Sequence, residues 1–111
     1  MGWHSVADTS DLAGRDVIGR EVEGRQVAVY RLDGAYFATS NLCTHATARL
    51  SEGEVVEGYI ECPVHFGLFE VRTGKAAGAP VTVDLETFPV RLDGTRIEID
   101  LGDGPPRGRV K

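Results

Sequence analysis

Only two cysteines, Cys43 and Cys62, occur in the 111 residues, so no multi-bridge disulfide framework holds this chain together. One bridge between them is possible by arithmetic, but it would leave the histidines beside them as coincidence. Long apolar runs are also missing: none approaches the roughly 20 residues of a membrane-spanning helix. Met1 to Asp8 has neither a basic stretch nor an apolar core, so no secretory leader is expected. Positive charge is scarce, with 12 Lys and Arg against 17 Asp and Glu and a net charge of −5, which argues against a nucleic-acid partner. These absences point to a cytoplasmic protein in a reducing compartment, with no membrane and no nucleic acid. The acidic balance favours steering toward a protein that carries a basic patch, although it also serves solubility alone. No stretch sustains a 3.6-residue period, and no nucleophile–base–oxyanion arrangement occurs, so catalysis by this chain alone is not expected.

Present in quantity are glycine, 14 residues, and short alternating apolar runs. Arg25–Leu32, an Asp33-Gly34 turn and Ala35–Thr39 read as a hairpin. The same device recurs as Phe88–Leu92, Asp93-Gly94 and Thr95–Leu101, where Ile97, Ile99 and Leu101 alternate with Glu98 and Asp100. Val17–Glu23 and Gly58–Glu61 are further strand candidates, and Asp8–Leu12 suits a short turn of helix. The expectation is an all-β, antiparallel fold in one domain spanning residues 1–111. Residues 40–80 form an excursion from the scaffold, and residues 102–111 form a mobile tail. Within the excursion, Ser51–Gly58 reads as turn-rich, and Gly74–Pro80 as a small-residue loop able to pack over a bound group.

Cys43-Thr44-His45 and Cys62-Pro63-Val64-His65 use both cysteines and two of the three histidines, with the sixteen residues Ala46 to Glu61 between them. Each pair falls where a strand stops; Pro63 ends ladder pairing just after Cys62. Two thiolates and two imidazoles, in the order Cys-x-His then Cys-x-x-His, are the ligand set of a Rieske [2Fe–2S] centre, in which one iron takes the sulfurs and the other the imidazoles.

The chain resembles the Rieske-type ferredoxins of bacterial aromatic-ring-hydroxylating dioxygenase systems. The resemblance spans essentially the whole length and is densest over Cys43–Ser51, Cys62–Lys75 and Gly78–Pro80. It implies a Rieske-like antiparallel β-sandwich with a small cluster-binding subdomain of two ligand loops, carrying one Rieske-type [2Fe–2S] cluster. Cys43 and Cys62 would hold the buried iron, and His45 and His65 the outer one. It further implies a monomeric one-electron carrier between a flavin-dependent NAD(P)H ferredoxin reductase and a terminal ring-hydroxylating oxygenase, in aromatic hydrocarbon catabolism. High-potential Rieske proteins resemble this chain at the ligands but add a disulfide, whose positions here are Ala48 and Val64. They also place a Ser and a Tyr hydroxyl on cluster and ligand sulfurs, and His65-Phe66-Gly67-Leu68-Phe69 supplies neither. Hydrogen bonds to sulfur favour the reduced cluster, so their loss implies a potential near the low end of the range, roughly −150 mV.

Two rivals remain: a Rieske carrier for another oxygenase or monooxygenase, and a structural zinc-binding β-domain. An oxygenase site within this chain is excluded by stoichiometry, since only His4 is left after the cluster takes two histidines. His4 itself reads as a polar residue near a frayed terminus, and Trp3 as a cap on the core. Phe66, Leu68 and Phe69 could shield a cluster or dock a partner, with core packing the alternative for each. Phe66 and Leu68 are the ones expected outside, because Phe69 follows strand alternation inward. Glu52, Glu54 and Glu57 read as a solvated edge able to assist docking.

Overall fold

Strand β3 (Arg25–Leu32) buries four successive side chains, Val27 to Tyr30, and a strand does this only when both of its faces are covered. The structure, a computed structural model, describes residues 2–44, 48–64, 66–78 and 83–102. In it β3 is central to a sheet ordered β2-β3-β4-β9, with β2 at Val17–Val22, β4 at Ala35–Ser40 and β9 at Thr87–Phe88. A second sheet runs β1-β11-β10, from β1 (Trp3–Asp8), β10 (Val90–Asp93) and β11 (Arg96–Asp100). The third runs β5-β6-β7-β8, from β5 (Glu54–Val56), β6 (Tyr59–Glu61), β7 (Leu68–Glu70) and β8 (Ala76–Gly78). Every pairing is antiparallel.

Strand alternation sorts the core into two apolar clusters. Ile18, Val27, Val29 and Ala38 face the second sheet and pack with Val6, Ile97 and Ile99. Val17, Ala28, Tyr30 and Leu32 face the third and pack with Ile60, Phe69 and both cysteines. At about 25 cal/mol per Å² of apolar surface, each large side chain removed from water contributes roughly 1.5–3 kcal/mol. In β1, Val6 and Ala7 are both buried because a bulge between Ser5 and Ala7 breaks the two-residue period.

Three hairpins turn on an acidic residue followed by glycine, both at positive φ: Glu23-Gly24, Asp33-Gly34 and Glu57-Gly58. This is the type I′ geometry, whose twist matches that of the strands it joins. The last hairpin differs from the sequence expectation by one residue. Asp93 pairs with Arg96, so the turn is Gly94-Thr95, with glycine taking the positive φ of 62°.

Other expectations are corrected. Phe88–Leu92 is not one strand: Phe88 pairs with β4 while Val90 onward pairs with β11. Pro89 between them has no N–H for a ladder and marks the change of sheet. Ser51–Gly58 holds strand β5, and Gly74–Pro80 holds β8, with Ala79 and Pro80 outside the described residues. Trp3 is not a core cap: it is exposed at the start of β1, and the Arg91 guanidinium lies 4.1 Å from its ring centroid. His4 sits within a paired strand, opposite Ile99. The tail proposed at 102–111 lies outside the described residues beyond Gly102. Among the described residues no helix is long and apolar enough to cross a membrane.

The expected turn of helix is a 3₁₀ segment, Thr9–Leu12, capped by Asp8. The Asp8 carboxylate accepts from the Ser10 hydroxyl at 2.7 Å, the Ser10 N–H at 3.0 Å and the Thr95 hydroxyl at 2.7 Å. These bonds, Ser10's first, hold its pKa down at about 2 against an ordinary 3.8. A depressed carboxyl stabilises the fold above its unfolded value, and that contribution is lost as pH falls through the folded value. Denaturation midpoints should therefore drop between pH 3.8 and about 2 less steeply in Asp8→Asn than in the parent, as followed by circular dichroism in urea.

Candidate metal centre

Cys43 and Cys62 are both buried, in the same apolar cluster as Tyr30, Leu50, Ile60 and Phe69, and they are not joined in a disulfide. Each stands at the mouth of a loop closed in the same way. The Cys43 N–H donates to the carbonyl of Ala48 at 3.0 Å, and the Cys62 N–H to that of Gly67 at 2.8 Å. Beneath the first loop, β4 ends at Ser40 and Leu42 bridges to Arg49. Beneath the second, Glu61 pairs with Leu68 as the last rung of the β6–β7 hairpin. The second loop is tightened further by the Phe66 N–H, which donates to the Cys62 carbonyl at 2.9 Å. In the chain, His45 lies between Cys43 and Ala48, and His65 between Cys62 and Gly67; both histidines fall outside the described residues.

This donor set suits the [2Fe–2S] group. Thiolates are costly to bury among apolar side chains unless they ligate a cation, and here two thiols share one apolar cluster at two matching loop mouths. The hydroxyls of Tyr30, Thr39 and Thr44 are engaged in hydrogen bonds. Thr39 donates to the Ser40 carbonyl at 2.8 Å, so the 2.9 Å contact between Tyr30 and Thr39 must use the Tyr30 proton. Burial pushes the Tyr30 phenol well above its ordinary pKa, and the phenol stays neutral. Thr44 donates to the Val83 carbonyl at 2.7 Å, tying the first loop to the segment after β8.

Among the described residues, apolar side chains are exposed at and near the loops. Leu42, Val64, Phe66 and Val83 are exposed, Phe66 by 65%. The described residues of the two loops, 42–44, 48, 62–64, 66 and 67, include no charged side chain. Phe69 is buried as expected and Leu68 is half-buried rather than fully outside. Glu52, Glu54 and Glu57 are exposed on and beside β5. Leu42, Val64 and Val83 were not anticipated, since an exposed aliphatic residue looks like any core residue in a sequence. Phe66 also holds a left-handed φ of 60°, which its residue type does not signal.

The chain belongs to the Rieske [2Fe-2S] domain family, which it matches over residues 2–89. It is 46% identical over 99 residues to the ferredoxin component of the naphthalene 1,2-dioxygenase system of Pseudomonas putida, covering 89% of this chain and 95% of that protein. In structure it is similar to the ferredoxin of carbazole 1,9a-dioxygenase from Nocardioides aromaticivorans IC177, with a TM-score of 0.85, 35% identity, and coverage of 90% of this chain and 98% of that one. It also resembles a chain in the complex of reduced oxygenase and oxidized ferredoxin in carbazole 1,9a-dioxygenase, with a TM-score of 0.81, 36% identity, and coverage of 88% and 92%.

The left-handed backbone at Phe66 separates two substitutions. Phe66→Gly should hold stability within about 1 kcal/mol, because glycine adopts this φ without strain. Phe66→Val should lower it by roughly 1–2 kcal/mol, since a β-branched side chain opposes this backbone. Urea unfolding midpoints measure both.

Proposed function

We propose that the chain is the ferredoxin of an aromatic-ring-hydroxylating dioxygenase system. It holds one Rieske-type [2Fe–2S] cluster through Cys43, His45, Cys62 and His65. It takes electrons from a flavin-dependent NAD(P)H ferredoxin reductase and passes them to a terminal Rieske non-haem iron oxygenase. In this reading residues 1–111 form one domain that works as a monomer in the cytoplasm. The observation that carries the reading is the pair of buried thiols at identically closed loop mouths in one apolar cluster, in a chain of the Rieske family.

When bound, such a cluster supplies reversible storage of one electron. The protein's part is to hold and shield it. The closed loops fix the sulfur positions, and Tyr30, Ile60 and Phe69 exclude water from the inner side. Leu42, Val64, Phe66 and Val83 offer exposed apolar side chains that a partner can cover. The exposed carboxylates on and beside β5, Glu52, Glu54 and Glu57, steer an approaching basic surface.

The committed hydroxyls of Tyr30 and Thr44 support a low potential, because neither proton is left for a sulfur. Voltammetry should give a midpoint near the low end of the Rieske range, roughly −150 mV, and a value above about +100 mV would contradict the assignment. Iron and acid-labile sulfide assays with electron paramagnetic resonance of the dithionite-reduced protein test the cluster itself. A colourless, resonance-silent, zinc-containing protein would overturn it.

The exposed apolar side chains make a separate prediction. Phe66→Asp should leave the visible spectrum unchanged while slowing electron delivery to the oxygenase about tenfold or more, the loss typical of removing an exposed aromatic anchor. Stopped-flow oxidation of the reduced protein by the oxygenase reads this directly.

A further inference from the structure

Among the described residues, Thr39 and Asn41 are the buried polar side chains. Thr39 is accounted for by Tyr30. Asn41, 1% exposed and two positions before Cys43, sits at a junction. Its N–H donates to the Gln26 carbonyl of β3 at 2.9 Å, and its carbonyl accepts from Leu50 at 2.7 Å. Its side-chain Oδ1 accepts from the Ser51 N–H at 2.7 Å, and its Nδ2 donates to the Ser51 hydroxyl at 2.9 Å. The Leu42–Arg49 bridge and the bond from Cys43 to Ala48 follow directly above. The first ligand loop therefore rises from a ribbon whose lowest rung is an amide side chain. The second loop needs no such device, because it rises from a full hairpin with Tyr59, Ile60 and Glu61 paired to Glu70, Phe69 and Leu68.

Gly19 supplies an independent sign that this rung is built in. It pairs with Ala28 in the sheet, and its missing side chain leaves the space that the rung occupies. A Cβ there would lie 2.7 Å from the Ser51 Oγ and 2.9 Å from the Asn41 Nδ2, inside contact distance for a carbon. Three residues remote in sequence thus meet at one point beneath Cys43.

We propose that Asn41, with Ser51 and the gap at Gly19, is a positioning residue for the cluster: it locks the first ligand loop to β3 and so fixes the Cys43 sulfur. This rests on the reading of Cys43 as a cluster ligand. Asn41's side chain is engaged by Ser51, and it acts through the ribbon. Trimming it leaves the Ser51 N–H without its protein acceptor and removes the lowest rung of the ribbon, and the loop opens more often.

The test is hydrogen–deuterium exchange by mass spectrometry on the cluster-loaded protein, comparing peptides that cover residues 41–51 and 60–68. Asn41→Ala should speed exchange in 41–51 about tenfold and leave 60–68 within about twofold. Ser51→Ala is a milder variant that keeps the bond from the Ser51 N–H to Oδ1, and it should show a smaller acceleration, about threefold, in the same peptide. Gly19→Ala should reproduce the effect in the parent and add little once Asn41 has become Ala, because its target is gone. Chelator-driven loss of the visible absorbance should accelerate in the same order. Equal acceleration in both peptides would mean general weakening and would overturn the positioning role, as would unchanged exchange in 41–51 of iron-loaded variants. Parent protein without iron and sulfide would instead overturn the ligand reading, and with it the role toward Cys43.

Discussion

The run Val27-Ala28-Val29-Tyr30 obliges the chain to cover β3 twice, and the rest of the molecule follows from that requirement. Side chains alternate along a strand, so Val27 and Val29 serve one layer while Ala28 and Tyr30 serve the other. The first layer is closed by β1, β10 and β11 and is scaffold alone. The second is closed by β5 to β8 and contains both thiols. One strand is thereby the floor of the layer that holds both thiols and the spine of the core, which ties the sulfur positions to the packing.

Rigidity and low polarity then meet at the loops. Equivalent amide bonds close the two loops at their cysteines, so the irregular segments are short and their ends are fixed. In the proposed function, the exposed apolar side chains at the loops and the carboxylates on and beside β5 would divide recognition in two: charge guides the approach at a distance, and apolar contact holds the pair once water has left.

Much of this was legible in the chain. Asp33-Gly34 marked its turn because residues tolerating positive φ fit a two-residue hairpin of the right twist, whereas the same signal at Asp93-Gly94 fell one residue early and the Glu23-Gly24 turn went unread. The cysteine pairs were legible because few other chemistries use that spacing. What sequence could not give were features decided by tertiary contact. Strands β5 and β8, each three residues long, carry too few alternations to register as periodic. Pro89 was read within a strand because a change of sheet has no local mark beyond the proline itself. Trp3 was placed inside on hydrophobicity, whereas stacking with Arg91 stabilises it at the surface. Asn41 drew no notice because its importance lies in Gly19 and Ser51, which approach it only after folding. The two histidines stand as they did in the sequence, inside the closed loops but outside the described residues.

The pairing of β1 with β11, which sets Trp3 opposite Asp100, has a bearing on the order in which the protein can be made. Contacts between the two ends of a chain close the largest loops and form late. On the face that carries the cysteines, the last buried contributor is Leu85, whereas the opposite face waits for Ile97, Ile99 and Leu101. A chain emerging from the ribosome therefore has every buried residue of the cysteine-bearing layer in hand before it can finish the layer behind it. The layer that contains both thiols is complete first, and the pairing of β1 with β11 follows.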